Sequence, residues 1–322
     1  MEENTSKYDT LCAAKDKKAF APFVYDKVGD TVRLISVRDS LLERAEIPEG
    51  VTEIGYGAFA SFGSLTEISL PSTLRRIGNE AFSGCSLAHI PLPEGLASIG
   101  EHCFAWADKL QAIRLPASLT EIGYAPFLGC KSLTEITVED GNTAFSSLSG
   151  DLYSKDGKTL ICVAPGKVCE QFTPNDGVTV IGHGALSGSE SLCRVTLPQG
   201  VTSVGNHAFA FCSRLDTVSL SEGITELGRS AFGYCRSLNE VTLPEGLTRI
   251  GEGAFYACGA LRSVTIPSTL TSIEGFAFDQ CDRLTDVYYR GTKKQWKRIA
   301  FDKRNKGNKP LLKAKIHFEY KD

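Results

Sequence analysis

The sequence predicts a β-rich α/β solenoid: a right-handed superhelix with a parallel sheet, short helical turns on the outer side and a cap at each end. Three observations carry this. A phenylalanine column falls at Phe59, Phe82, Phe104, Phe127, Phe209, Phe232, Phe255 and Phe278, in steps of 23, 22, 23, 82, 23, 23 and 23, and Leu186 fills the slot 23 before Phe209. A glycine column runs ahead of it at Gly55, Gly78, Gly100, Gly123, Gly182, Gly205, Gly228 and Gly251. A cysteine column trails it at Cys85, Cys130, Cys212, Cys235, Cys258 and Cys281. A fixed period in the twenties means one small unit stacked in register, each copy contacting only its neighbours.

This is the period of a leucine-rich repeat, and one copy can be read residue by residue. In Leu65-Thr-Glu-Ile-Ser-Leu70-Pro71, Leu65, Ile68 and Leu70 point inward while Glu67 and Ser69 alternate outward, as a half-exposed strand requires. Pro71 ends the strand because it has no amide to give. Leu74 and Ile77 make a second short inward-facing segment. Gly78 follows, where the sequence predicts a corner at positive φ. Asn79 to Cys85 is too short for an ordinary helix and reads as one helical turn anchored by Phe82. Ser86-Leu87 is one residue short of the pattern, which explains the step of 22, and Glu274-Gly275 sets the last glycine one place late, which predicts an altered corner there.

The boundaries follow. Residues 1–41 form an N-terminal segment and cap, 42–138 a first repeat block, 139–177 an insertion, 178–288 a second block and 289–322 a basic C-terminal cap. In the insertion, Asp156-Gly157 between two β-prone runs predicts a hairpin with a type I′ turn. One continuous solenoid is expected, because the blocks share one repeat. Thr31 to Val37 and Leu42 to Ile47 read as an N-terminal hairpin. Trp296 and Ile299 suit a short helix laid over the last repeat, and Leu311 to Phe318 reads as a closing strand.

Eleven cysteines invite a disulfide framework. The cysteine column accepts Phe62, Ala107 and Ser189 in other repeats, so it is a packing position, and the thiols are expected to be free. No CxxC pair marks a zinc site.

These residues resemble the BspA-like leucine-rich repeat family, also called the Treponema type. Its signature phrase stands here as Ile77-Gly-Asn-Glu-Ala-Phe-Ser-Gly-Cys85 and Ile250-Gly-Glu-Gly-Ala-Phe-Tyr-Ala-Cys258. The resemblance extends to Gly150-Asp-Leu-Tyr-Ser-Lys-Asp-Gly-Lys-Thr-Leu and to the ending Tyr289-Arg-Gly-Thr-Lys-Lys-Gln-Trp296. It covers roughly residues 42–320. It implies protein-binding or adhesive roles at a bacterial or protist surface. The chain shows no secretory leader after Met1. With Met1 as the native start the expected place is the cytoplasm; with a leader removed it is the cell surface or beyond.

No phosphate loop, dinucleotide fingerprint, HExxH or nucleophile elbow occurs. The five histidines are scattered, and carboxylates such as Glu67, Glu135 and Glu240 fill equivalent outward slots rather than contrasting environments. Neither an enzyme, a cofactor nor a metal is expected, and no apolar run is long enough to span a membrane. The candidate binding face is the outward side of the strands. One column reads Arg44, Glu67, His89, Ala112, Glu135, Arg194, Thr217, Glu240, Ser263, Asp286, and the next Glu46, Ser69, Pro91, Arg114, Thr137, Thr196, Ser219, Thr242, Thr265, Tyr288. Candidate contacts are Glu67, His89, Arg114, Glu135, Arg194, Thr196, Glu240 and Thr242. The competing reading of the Ser/Thr column is β-propensity with cross-strand hydroxyl contacts. The ligand class is a protein or extracellular-matrix-type molecule, with a glycan less favoured because few aromatics lie there. A monomer is expected.

Charge is lopsided. Residues 290–322 hold 12 Lys/Arg against 3 Asp/Glu, while the rest of the chain holds 23 against 35. Lys293, Lys294, Lys297 and Arg298 therefore make the alternative site, for an acidic polymer such as a nucleic acid or cell-wall polyanion. Nucleic acid is disfavoured, since no fold that reads it is visible. The plainer alternative is a solvated cap.

Overall fold

The structure is a computed structural model and describes residues 22–167, 169–302 and 307–321. The expected segment before residue 22 lies outside them. The chain forms two compact units. One takes the described residues up to Lys155 together with Ala164–Gly166, the other Asp156–Val163 and the described residues from Lys167 on. Each is a parallel-sheet solenoid.

Most repeats give a strand of three or four residues to one sheet and a strand of two residues to another. In the first unit Arg44–Glu46 pairs in parallel with Glu67–Ser69, and Ala112–Leu115 with Glu135–Val138. The inward and outward alternation is as expected: Ile68 is buried between exposed Glu67 and Ser69. The second sheet takes Glu53–Ile54, Arg76–Ile77, Ser98–Ile99 and Glu121–Ile122. No strand forms at His89–Pro91. Pro91 stands one repeat before Arg114, which is a paired strand residue, and it has no amide for a ladder. The repeat is also one residue short.

The N-terminal hairpin differs from expectation. Thr31–Val37 pairs antiparallel with Phe23–Val28 and in parallel with Glu53–Ile54, whereas Arg44–Glu46 belongs to the other sheet. Phe23–Val28 lies ahead of the repeat pattern, so no period marks it.

In the insertion, Phe145–Leu148 and Asp151–Ser154 pair antiparallel around Ser149 (φ 53°) and Gly150 (φ 79°). Two positive φ values in a two-residue loop are the mark of a type I′ turn. The type I′ turn expected at Asp156-Gly157 thus stands here instead. At the later site only Gly157 is at positive φ, and Asp156 Oδ1 accepts from the Lys158 amide, an Asx turn. Buried Asn142 holds this end of the first unit, donating from Nδ2 to the carbonyls of Pro116 and Leu119. In the second unit Thr159–Cys162 pairs in parallel with Val180–Ile181, and Gln171–Phe172 with Arg194–Thr196. Residues after the Asx turn therefore supply an extra rung to each sheet.

The C-terminal cap is a repeat in disguise. Ala300–Phe301 extends one sheet beside Ser272–Ile273, and Lys315–Phe318 extends the other beside Asp286–Tyr289. Two short helices lie between them: α1, Lys293–Trp296, started by a Thr292/Gln295 capping box, and α2, Lys309–Lys313. Trp296 and Ile299 are buried, as their spacing predicts. The closing strand begins later than expected. Leu311 and Leu312 are helical, started by Pro310 in the first turn, where its missing amide costs nothing.

The glycine column overturns one expectation. None of its members lies at positive φ. Their need for glycine is close approach: a Cβ on Gly123 would lie 2.3 Å from the Glu101 amide nitrogen, and one on Gly228 2.5 Å from the Gly205 carbonyl carbon. Backbones of successive repeats touch there, and no side chain fits between them. Positive φ occurs instead two residues either side of the phenylalanine, as at Glu80 and Gly84 or Ser230 and Tyr234. Alternate amides in each turn bond three residues back, as Ala60 to Gly57 and Phe62 to Phe59. The intervening amides donate to the next repeat, as Gly57 to Asn79, Phe59 to Ala81 and Ser61 to Ser83. The turns are thereby laced to one another as the strands are. At the last repeat Glu274 replaces glycine. Its amide still donates to the Ile250 carbonyl, and its carboxylate accepts from Arg249 and the Glu252 amide.

The phenylalanines form a stacked column in each unit. Ring centroids lie 5.2 to 5.6 Å apart from Phe59 to Phe127, and 5.0 to 5.4 Å apart from Phe209 to Phe278. The cysteines of the repeat column are buried and free. They are more than small apolar fillers. The Sγ–H of Cys130 donates to the Phe104 carbonyl at 2.9 Å, and those of Cys235, Cys258 and Cys281 donate at 3.1 Å to the carbonyls of Phe209, Phe232 and Phe255. Burial pushes Cys85 up to about 11 and Cys212 and Cys281 up to about 12. A thiol so raised is scarcely ionised at neutral pH and reacts slowly. Cys169 and Cys193 are half-exposed. Brief treatment of the native protein with iodoacetamide at pH 8 is therefore expected, among the described cysteines, to alkylate these two and spare the buried column. Peptide mapping that found Cys235 or Cys258 labelled without denaturant would contradict the packing.

Candidate functional site

The outward columns are built by the same alternation that buries the core. Glu67, Arg114, Glu135, Arg194, Thr196, Glu240 and Thr242 are all exposed on sheet strands. His89 is exposed too, but it lies in the strandless gap and does not belong to the ladder.

In the first unit two of these charges are already paired. Arg44 Nε lies 3.1 Å from Glu67, and Arg114 Nε 2.6 Å from Glu139 Oε1. Glu94 joins the second pair: a hydrogen bond to Glu139, aided by that carboxylate's charge and opposed by Arg114, holds its carboxyl above the usual range. Glu135 makes no ion pair among the described residues.

In the second unit the register sets Arg194 beside Thr217, Thr196 beside Ser219, Glu240 beside Ser263 and Thr242 beside Thr265. Thr196 and Thr242 have no hydroxyl hydrogen bond among the described residues. The cross-strand hydroxyl contacts offered as the plainer explanation do not form at these two positions. Arg194 and Glu240 make no ion pair there either.

One feature of the face was missed from sequence. His317 stacks on Tyr288 at 4.8 Å, Tyr320 sits 4.7 Å from the same ring, and His317 Nε2 lies 2.8 Å from Asp286 Oδ1. The hydrogen bond from His317, then that from Thr285, holds the Asp286 carboxyl below its usual range. The face is thus richer in aromatic rings at this end than its columns suggest. His317 and Tyr320 come from the cap, which keeps no repeat period. The signal available was Lys315-Ile-His-Phe, a short alternating run that lies beyond one period after Asp286.

The alternative site is equally open. Lys293, Lys294, Lys297 and Arg298 are exposed on and after α1, and none makes an ion pair among the described residues. No group of three or more metal-ligating side chains stands together among the described residues. No described helix is long and apolar enough to cross a membrane.

A solenoid of two short strands and a laced turn per repeat, with a phenylalanine and cysteine core, defines a class of leucine-rich repeat. The BspA type leucine-rich repeat region model matches residues 37–149 and 168–306 in six copies, and the chain belongs to that family. A comparison with curated proteins finds no match. Among solved structures, a leucine rich cell surface protein of Faecalibacterium prausnitzii A2-165 is similar at 25% identity over 87% of this chain and 96% of that one, with a TM-score of 0.61. The pneumococcal vaccine antigen PcpA is similar at 20% identity over 92% and 88%, with a TM-score of 0.64. A leucine-rich repeat protein from Eubacterium ventriosum is similar at 20% identity over 82% and 88%, also with a TM-score of 0.64. The last two share the fold.

Proposed function

We propose that the chain is a non-enzymatic interaction and adhesion module that binds a protein or matrix ligand on its outward strand faces. The observation that carries this is the second unit's row of Arg194, Thr196, Glu240 and Thr242, exposed and without partners among the described residues. Polar groups held in register on a rigid ladder lose little entropy on binding. The family's signature residues are used in packing, which leaves the outward positions free to vary. The similar protein of Faecalibacterium prausnitzii is described as a cell surface protein, which fits an adhesive role.

The test is binding to a panel of purified extracellular-matrix proteins. Alanine at Arg194, Thr196, Glu240 and Thr242 together is expected to weaken binding at least about tenfold, with an unchanged melting temperature. Alanine at Arg114 and Glu135 tests the first unit's face in the same way.

A second reading rests on the unpaired cations Lys293, Lys294, Lys297 and Arg298, which suit an acidic polymer. Binding to a sulfated polysaccharide that falls steeply with salt, is lost on removing these four charges and survives the face variants would make the cap the functional surface.

A further inference from the structure

Between the last repeat and α2 lies a cleft of about 590 Å³, a size usual for ligand sites. Its two sides differ in charge. The repeat contributes Asp279 and Asp282, and the cap contributes Lys309, Lys313 and Lys315. Lys309 and Lys313 are one helical turn apart and so share a face of α2. Leu284, Pro310 and Ala314 add apolar surface between the two sides.

Opposite charges this close would ordinarily meet. None of the five makes an ion pair within 4.0 Å among the described residues. The spacing is held by the frame. Leu311 is fully buried on the inner side of α2, and Asn308, just ahead of the helix, is 3% exposed. Asn308 accepts from the Phe278 amide at 3.1 Å and donates to the Glu274 carbonyl at 2.9 Å. These contacts anchor the start and inner side of the helix on the last repeat. A fixed gap between an acidic side and a basic side complements a ligand that carries both signs.

We propose that this cleft binds a mixed-charge peptide segment. A basic side chain of the ligand lies against Asp279 and Asp282, an acidic one against Lys309 and Lys313, and an aliphatic residue between them covers Leu284 and Pro310. Lys315 borders the strand face beside Asp286, but Asp279, Asp282, Lys309 and Lys313 lie off the strands, so these four can be varied without touching the strand-face candidates.

The experiment uses fluorescent, terminally blocked octapeptides that share a leucine centre. One carries lysines at one end and glutamates at the other, one is all basic and one all acidic. Fluorescence polarisation at low salt is expected to show the mixed-charge peptide binding tightest. D279K/D282K and K309E/K313E are each expected to weaken it about tenfold. The fourfold variant is expected to restore binding, because the same peptide can then lie in the opposite direction. Alanine at the strand-face positions should change nothing. Should a reversal variant unfold, D279N/D282N and K309Q/K313Q report the same loss. If the all-acidic peptide binds best and gains affinity in D279K/D282K, the cleft is part of a polyanion surface and the proposal fails. It fails equally if all the variants bind the three peptides alike.

Discussion

Phe232→Ala is expected to destabilise the second unit by about 3–5 kcal/mol in urea denaturation. The ring is fully buried and stacked between Phe209 at 5.0 Å and Phe255 at 5.4 Å. Removing it leaves a cavity whose walls are backbone laced to both neighbours, through Phe232 to Ala254 and Phe209 to Ala231. Such walls cannot collapse inward. Two ring contacts disappear with it, each worth about 0.5–1.5 kcal/mol beyond area burial. Thr242→Ala, on the exposed side of a neighbouring strand, is the matched control and should cost well under about 1 kcal/mol. Equal losses for the two would overturn the inward and outward assignment.

Gly228→Val is expected to cost about 3 kcal/mol, the upper end for overpacking, by a different mechanism. The new Cβ would lie 2.5 Å from the Gly205 carbonyl carbon and 2.6 Å from the Asn206 amide nitrogen. Neither can retreat, because the Gly205 amide is bonded to Ile181 and the Gly228 amide to Val204. The clash spreads to neighbouring rungs rather than being absorbed locally. Gly259→Ala is the control: its Cβ would meet nothing within 4 Å and its φ is ordinary. A melting temperature equally lowered by both would mean that close approach is not what excludes a side chain at Gly228.

That glycine shows where sequence reading stopped. The period located the stacked phenylalanine column and most outward residues of the repeat strands, because these depend only on which residues recur and on strand alternation. It could not say why glycine recurs, since positive φ and close approach leave the same mark on a sequence. The same limit applies to the cysteines: recurrence reveals burial, but the S–H donation to a phenylalanine carbonyl needs coordinates. The ends were harder still. Phe23–Val28, α2 and His317 lie where the period has lapsed, and only pairing in space shows that Lys315–Phe318 continues the sheet. His89 was misplaced because its column number was right while Pro91, two residues on, had removed its strand. Of the candidate site, exposure was legible and pairing was not: nothing in the sequence distinguishes Arg114, held by Glu139, from Arg194, which is unpaired among the described residues.

The direction of the thiol bonds has a consequence for where such a chain can work. Each of these S–H groups reaches back to a main-chain carbonyl one rung earlier instead of sideways to another sulfur. Oxidation to a cross-link would have to break that bond, and burial withholds the thiolate that would begin the attack. The buried column accordingly needs no oxidant to form and offers an oxidant little to attack, so its contribution to stability should be the same in a reducing interior as in an oxidising exterior.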